Sequence, residues 1–178
     1  KSFENRGVRI INQVNKGLSS ARNTGIMWAT GDFVLPLDCD DILLENCVEK
    51  IIEKIKSNPN ADIISPSLKC FGLAQDEIIL MENPTIEDFK VANRVGYCSA
   101  IRRDALLEVG GYNAKMILGF EDYDLWHDLL KRGKKLVTIP EVLFLYRVKE
   151  DSMYKNAKKH EKELLAQIRI NHPEVYAK

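Results

Sequence analysis

The chain has no excess of charge of either sign: lysine plus arginine number 26, and so do aspartate plus glutamate. No global field therefore points to nucleic acid or to an anionic membrane surface, and only a local patch could do so. Long hydrophobic runs are also lacking. The longest, such as Val142-Leu143-Phe144-Leu145-Tyr146, reach about five residues, where a bilayer span needs about 20. The polar start of the chain carries no signal-peptide pattern. Cysteine is sparse. Cys39, Cys47, Cys70 and Cys98 fit neither a zinc-site spacing nor a small disulfide framework, so reduced thiols in a cytoplasmic protein are expected. Internal repeats, low-complexity segments and an obvious linker are missing too. What remains is ordinary globular composition, 45% hydrophobic and 29% charged over 178 residues, which suits one domain with a helical tail from about residue 154.

Periodicity along the chain alternates. Val8–Asn12 reads as a strand, and a helix begins near Ser19 or Ser20 with an apolar stripe of Ala21, Gly25, Trp28 and Ala29. A strand follows Gly31 and runs to Asp38. A helix over 42–57 repeats Leu44, Val48, Ile51, Ile52 and Ile55 at helical spacing and stops at Asn58-Pro59-Asn60. Strands are expected at 62–67, near 78–80, and at 96–101, with an irregular stretch between 68 and 93. A helical turn at 103–108, a helix at 121–131, strands at 135–139 and 142–148, and a helix at 156–171 complete the order. Alternating strands and helices predict an α/β sandwich with a mostly parallel sheet and helices on both faces.

Three carboxylates close the strand that ends at Leu37: Asp38, Asp40 and Asp41, with Cys39 as a spacer. Carboxylates crowded near a core repel one another. A hard divalent cation such as Mg²⁺ or Mn²⁺ would relieve that repulsion through oxygen ligands, and ligands of open α/β sheets lie beyond the carboxyl ends of strands. The alternative is an acidic turn whose last aspartate caps a helix starting near Ile42.

A second acidic group, Glu121-Asp122-Tyr123-Asp124, opens the 121–131 helix. Projecting its stripe of Leu125, Trp126, Leu129 and Leu130 backwards puts Asp122 on the inward face, with Glu121 and Asp124 outside it. An inward carboxylate can be tuned as a general base; the alternative is a partner for the helix dipole. In the loop before the 19–29 helix, Gly17 permits close backbone approach to a ligand. Arg22 stands near a helix N-terminus where its charge is unfavourable, so it either meets an anionic partner or keeps a solvated head.

Taken in order, Asn15-Lys16-Gly17-Leu18-Ser19-Ser20-Ala21-Arg22-Asn23-Thr24-Gly25, then Ala29-Thr30-Gly31-Asp32-Phe33, Leu37-Asp38-Cys39-Asp40-Asp41, Gly110-Gly111-Tyr112, Gly119 to Trp126 and Leu145-Tyr146-Arg147-Val148 resemble family 2 glycosyltransferases of GT-A fold. The resemblance runs from about Val8 to Met153. It implies a Rossmann-like GT-A sandwich, a nucleotide-sugar donor (a UDP-sugar in most of the family) and a divalent metal, Mn²⁺ or Mg²⁺. By that analogy Asp38 and Asp40 hold the metal and the donor, Asn15, Gly17 and Arg22 lie along the nucleotide, and Asp122 is the base that deprotonates an acceptor hydroxyl and inverts the anomeric carbon. Glu121, Trp126 and Tyr146 contact the acceptor.

Two departures from the family pattern stand out. Relatives often carry a histidine two residues after the Tyr-Arg pair, where it completes the metal shell; here Lys149 stands there, suited to contact the diphosphate directly. The family also opens with a strand–helix–strand–helix segment that binds the nucleobase, and the sequence before Val8 is too short to hold it, so an N-terminally truncated domain is expected. No Gln-x-x-Arg-Trp sequence occurs, which disfavours a processive synthase. The expectation is single-sugar transfer to a glycan or lipid-linked acceptor in bacterial surface polysaccharide assembly, at the inner face of the membrane without a transmembrane segment and without nucleic acid. An interaction or nucleotide-binding module of a larger protein is the competing reading, since an exposed sheet edge could pair with another chain, including a second copy.

Overall fold

The computed structural model describes residues 7–177. The helices are α1 (Leu18–Trp28), α2 (Cys47–Ser57), α3 (Ile86–Val91), α4 (Arg103–Glu108), α5 (Glu121–Lys131), α6 (Met153–Lys159), α7 (Glu161–Asn171) and α8 (Pro173–Tyr176). The strands are β1 (Phe33–Val34), β2 (Ile42–Leu43), β3 (Ile63–Gly72), β4 (Glu77–Ile78), β5 (Ala100–Arg102) and β6 (Leu136–Val148).

They form one sheet in the order β1-β5-β3-β6-β2, with β4 added against β3. The expected α/β layering is present, but the sheet is mixed rather than mostly parallel. β3 and β6 pair in parallel along their length, while the other described pairings, β1–β5, β3–β5, β2–β6 and β3–β4, are antiparallel. Strands β1, β2, β4 and β5 are only two or three residues long; β4 returns on β3 through a short turn, while β1, β2 and β5 pair with strands remote in sequence.

Along β3 the side chains alternate across the sheet. Ile63 enters a core with Ile101, Leu125, Trp126, Leu129 and Ile168, beneath α4, α5 and α7. Ile64 enters the opposite core with Cys47, Ile51, Ala100 and Leu143, beneath α2. The sheet is therefore covered on both faces. Pro140 and Glu141 make a bulge, since Ile139 pairs with Pro66 and Val142 with the next residue, Ser67. The two strands expected at 135–139 and 142–148 are thus one bent strand.

Several sequence expectations change. Val8–Asn12 forms no strand and is exposed; no described strand lies beside it to take its hydrogen bonds. The helix expected from Ile42 begins at Cys47, because Ile42 and Leu43 pair with Leu145 and Phe144 of β6. The irregular stretch contains α3, whose Thr85 and Asp88 form a reciprocal capping box. The tail helix breaks at His160 into α6 and α7.

On α1 the expected apolar stripe points the wrong way: Ala21, Gly25 and Trp28 are exposed, and Ser19 and Ile26 are the buried positions. The inward face also carries Arg22 and Asn23, whose polar groups are used inside the molecule, so hydrophobic periodicity misplaced the face.

At α5 the burial of two acids is likewise reversed. Asp124 is 4% exposed, and its carboxylate accepts from Asn171 Nδ2 at 2.8 Å and Asn113 Nδ2 at 3.1 Å, with His172 Nε2 at 3.0 Å. This network fastens α7 and α8 to α5, because a buried carboxylate demands partners.

Candidate functional site

Two clefts meet at the carboxyl end of the β3–β6 pair. The first, about 730 Å³, is bounded by Ala21, Arg22 and Gly25 of α1, by the Asp38–Asp41 turn, and by Tyr146, Arg147 and Lys149 at the end of β6. Ala21 and Gly25, exposed on α1, form part of this cleft's wall. The second, about 610 Å³, has apolar walls from Leu68, Ile78, Val91, Phe120 and Phe144, and Asp122 and Asn93 open into it. Tyr146 and Tyr154 border both.

The acidic turn is held by its own residues. Asp41 does not cap a helix: its carboxylate accepts from Tyr97 Oη at 2.6 Å and from the Arg147 amide at 2.7 Å. Burial pushes the Asp41 carboxyl up, opposed by the hydrogen bond from Tyr97. Tyr97 Oη also accepts from the Asp38 amide at 2.9 Å. Arg147 Nε donates to the Asp40 carbonyl at 2.8 Å. The Asp38 and Asp40 side chains are left free to face the cleft, each with a protein cation. Asp38 pairs with Arg22 at 2.9 Å and Asp40 with Lys149. The hydrogen bond from Lys149 holds the Asp40 carboxyl below the usual carboxylate range.

Arg22 is the hub of the molecule. Its two terminal nitrogens reach Asp38 at 2.9 Å and Glu121 at 2.7 Å, and its guanidinium lies 4.8 Å from the Tyr97 ring centre and 5.2 Å from that of Tyr112. Burial opposes its charge, but Tyr112, Asp38 and Glu121 outweigh that, so it is held more firmly protonated than a free arginine. The side chain is 9% exposed, so of the two alternatives Arg22 meets anionic partners rather than keeping a solvated head, while still lining the first cleft.

Glu121, expected outside the buried face, is 7% exposed and faces Arg22 rather than the acceptor-side cleft. Its neighbour Asp122 is half-buried. Asp122 accepts from Asn93 Nδ2 at 3.1 Å and from the Tyr123 amide at 2.8 Å. Burial, and then the negative charge of Glu121, push its carboxyl up to about 7. Phe120, just before them, has φ 60°, a left-handed conformation unusual for a bulky residue. This bend starts α5, and the 100° step of the helix points its first two acids to different sides.

The remaining candidates scatter. Asn15 and Gly17 lie together, with the Gly17 amide donating to Asn15 Oδ1 at 3.0 Å, but both are exposed and line neither cleft. Trp126 is fully buried in the core and also reaches neither cleft, so the expected acceptor contact is corrected: it lies one turn further along the same face of α5, under the core rather than at the cleft's rim. Sequence reasoning missed Tyr97, Asn93 and Asn23. Asn93 ends the stretch with least periodicity, and Tyr97 falls in the expected strand at 96–101, which does not form until Ala100. Asn23 grips Tyr112 through both backbone groups, at 2.7 and 2.8 Å.

That grip passes close to Gly111, whose φ is 78° and where a Cβ would fall on the Asn23 carboxamide oxygen. Gly111→Ala is therefore expected to cost roughly 1–3 kcal/mol in urea unfolding, from left-handed strain and the displaced amide together. An unchanged midpoint would mean the loop relaxes freely.

The family model for glycosyl transferase family 2 matches residues 1–110, more than half of the sequence. The chain belongs to glycosyl transferase family 2. An uncharacterized glycosyltransferase of Haemophilus influenzae is 32% identical over 130 residues, covering 68% of this chain and 44% of the relative. The amylovoran biosynthesis glycosyltransferase AmsE of Erwinia amylovora is 28% identical over 146 residues, covering 79% and 54%. The chain thus spans about half the length of the curated relatives it matches.

Among solved structures, residues 1–349 of TarS from S. aureus, in complex with UDP-GlcNAc, superimpose with a TM-score of 0.74 at 13% identity, covering 96% of this chain and 52% of that one. The mannosyltransferase PcManGT of Pyrobaculum calidifontis, in complex with GDP-Man and Mn²⁺, gives 0.60 at 16% identity, covering 86% and 44%. These likenesses show the GT-A-like fold. No helix among the described residues is long and apolar enough to cross a membrane.

Proposed function

We propose that this chain carries the reacting centre of an inverting glycosyltransferase, with the donor diphosphate in the first cleft and the acceptor in the second. The observation that carries the reading is the N-terminus of α5. There Glu121 is tied through Arg22 to Asp38 on one side, while Asp122, with its raised pKa, opens to the other cleft. A base poised near neutrality and opening into a cleft that adjoins the first suits proton abstraction from a hydroxyl.

In the proposed reaction Asp122 takes the proton of an acceptor hydroxyl. The acceptor oxygen bonds to the anomeric carbon as the bond from that carbon to the diphosphate oxygen breaks, which inverts the centre. Glu121 holds the charge and position of Arg22 rather than touching acceptor. Tyr146, on the border of both clefts, orients the sugar between them.

Asp38 and Asp40 provide hard oxygen ligands that fit Mg²⁺ or Mn²⁺. Magnesium characteristically takes one or two carboxylates and completes its shell from phosphates and water. Among the described residues no three metal-ligating side chains converge, so the donor's phosphates would complete the set. When bound, the metal supplies charge neutralisation for the departing nucleoside diphosphate. The UDP-sugar preference rests on the family and on TarS, which holds UDP-GlcNAc. The acceptor class, a glycan or lipid-linked hydroxyl in bacterial surface polysaccharide assembly at the cytoplasmic membrane face, rests on relatives such as AmsE.

The test is calorimetric titration of the full-length protein with UDP and with GDP, with and without Mn²⁺. UDP binding that strengthens with Mn²⁺ and weakens at least about tenfold in Asp40→Ala is expected, a loss of roughly 1.4 kcal/mol. Absence of binding by either nucleotide removes the donor-site reading.

A further inference from the structure

The acidic turn already has cations of its own. Arg22 answers Asp38, and Lys149 Nζ sits on an Asp40 carboxylate oxygen. Arg147 closes the backbone around them, donating from Nε to the Asp40 carbonyl and from its amide to Asp41. Those two bonds fix the end of β6 against the turn, only two residues before Lys149. The lysine therefore needs little ordering of its backbone to reach Asp40, which reduces the entropic cost that makes most surface ion pairs weak. Lys149 and Asp40 remain 47% and 33% exposed, so a small ion can reach them and exchange is open.

We propose that Lys149 is the resident counter-cation of Asp40, and that a divalent ion binds there only by displacing it. This deepens the donor-site reading and rests on it for its purpose, though not for its test. The charges argue for competition. An ammonium bound to Asp40 neutralises the ligand that a metal needs, and it repels a dication arriving within a few ångströms. Its displacement has a second effect, since Nζ is released into the cleft beside the position proposed for the diphosphate. One carboxylate thus exchanges a protein cation for a metal, and the lysine becomes available to the phosphates as a flexible point charge. Lys149 would then set how much free metal the protein requires.

The experiment titrates the full-length protein with Mn²⁺ alone, read by the electron paramagnetic resonance signal of free Mn²⁺. Lys149→Ala is expected to bind Mn²⁺ about tenfold more tightly than the unaltered protein. Lys149→His should bind more tightly still, because an imidazole adds a ligand. Lys149→Arg keeps the charge and should stay near the unaltered affinity. Adding Asp40→Asn to Lys149→Ala should abolish the gain. Equal or weaker Mn²⁺ binding by Lys149→Ala, a gain that survives Asp40→Asn, or no Mn²⁺ binding by any of these proteins overturns the proposal. Lys149 is a half-exposed residue past the end of a strand, so these changes leave the fold intact, as a matching urea midpoint would verify. Because no nucleotide is present, failure here is separate from failure of UDP to bind.

Discussion

Asp122→Asn is expected to slow sugar transfer by about 10²–10⁴-fold, the usual contribution of a positioned general base, while UDP affinity stays within about twofold. The two effects separate because Asp122 opens to the second cleft and makes no contact with the Asp38–Asp41 turn. A pH dependence accompanies it. The carboxyl is pushed up to about 7 by burial and by Glu121, and the base works only when ionised. Activity should therefore fall as pH drops through about 7, and the variant's residual rate should lose that limb.

Stability should move in the opposite sense. A carboxyl whose folded pKa exceeds its unfolded value favours the protonated, folded form. Its penalty accumulates as pH rises from about 4 and is complete above about 7. Removing the charge should leave the variant at least as stable as the unaltered protein at pH 8. Near-normal turnover in Asp122→Asn would take the base role away from this residue.

Arg22→Ala is expected to be the most destabilising single change at the site, at about 3 kcal/mol by urea unfolding. Removing one partner of a buried ion pair leaves an uncompensated charge, which costs about 3–5 kcal/mol. The lower figure applies because Asp38 is 34% exposed and can recover water, whereas Glu121, at 9%, cannot. Two aromatic faces, Tyr97 and Tyr112, also lose their cation. Loss of the positive charge should raise the Asp122 pKa further, moving the acid limb of the rate profile upward, since Arg22 at present lowers it. Arg22→Lys should restore part of that electrostatic effect but little of the stability, as one ammonium cannot bridge two carboxylates in the same fixed fork. A midpoint for Arg22→Ala within about 0.5 kcal/mol of the unaltered protein, the range of an ordinary surface change, would mean the bridge carries no stability.

The sequence made the long elements readable where burial alone decides them. The cores of β3 and α5 follow hydrophobic spacing, and Leu125, Trp126 and Leu129 lie inside as that spacing requires. It misled where polar groups are consumed internally. Arg22 and Asn23 turn α1 inward along a face no hydrophobicity pattern marks, and Glu121 and Asp124 are buried because Arg22 and His172 wait for them from distant parts of the chain. Such pairs depend on contacts between residues 99 and 48 positions apart, which local periodicity does not contain. Ile42 and Leu43 went astray for a related reason: their helical spacing lost to two pairings with β6. The capping box of α3 was legible in Thr85 and Asp88, and only its short span hid it. Tyr97, which ties the acidic turn together from the loop before β5, left no local mark at all.

Just after the left-handed turn at Phe120, two consecutive acids face different surroundings. Glu121 belongs to a network that admits little change, since altering it disturbs Arg22, Asp38 and both tyrosines together. Asp122 looks onto walls supplied in part by the loop and short elements between residues 73 and 96. Those walls can be rewritten without touching the network behind them. On the proposed function, changing those walls would exchange one acceptor for another while keeping the same chemistry, and the boundary between what drifts and what persists would be a single peptide bond.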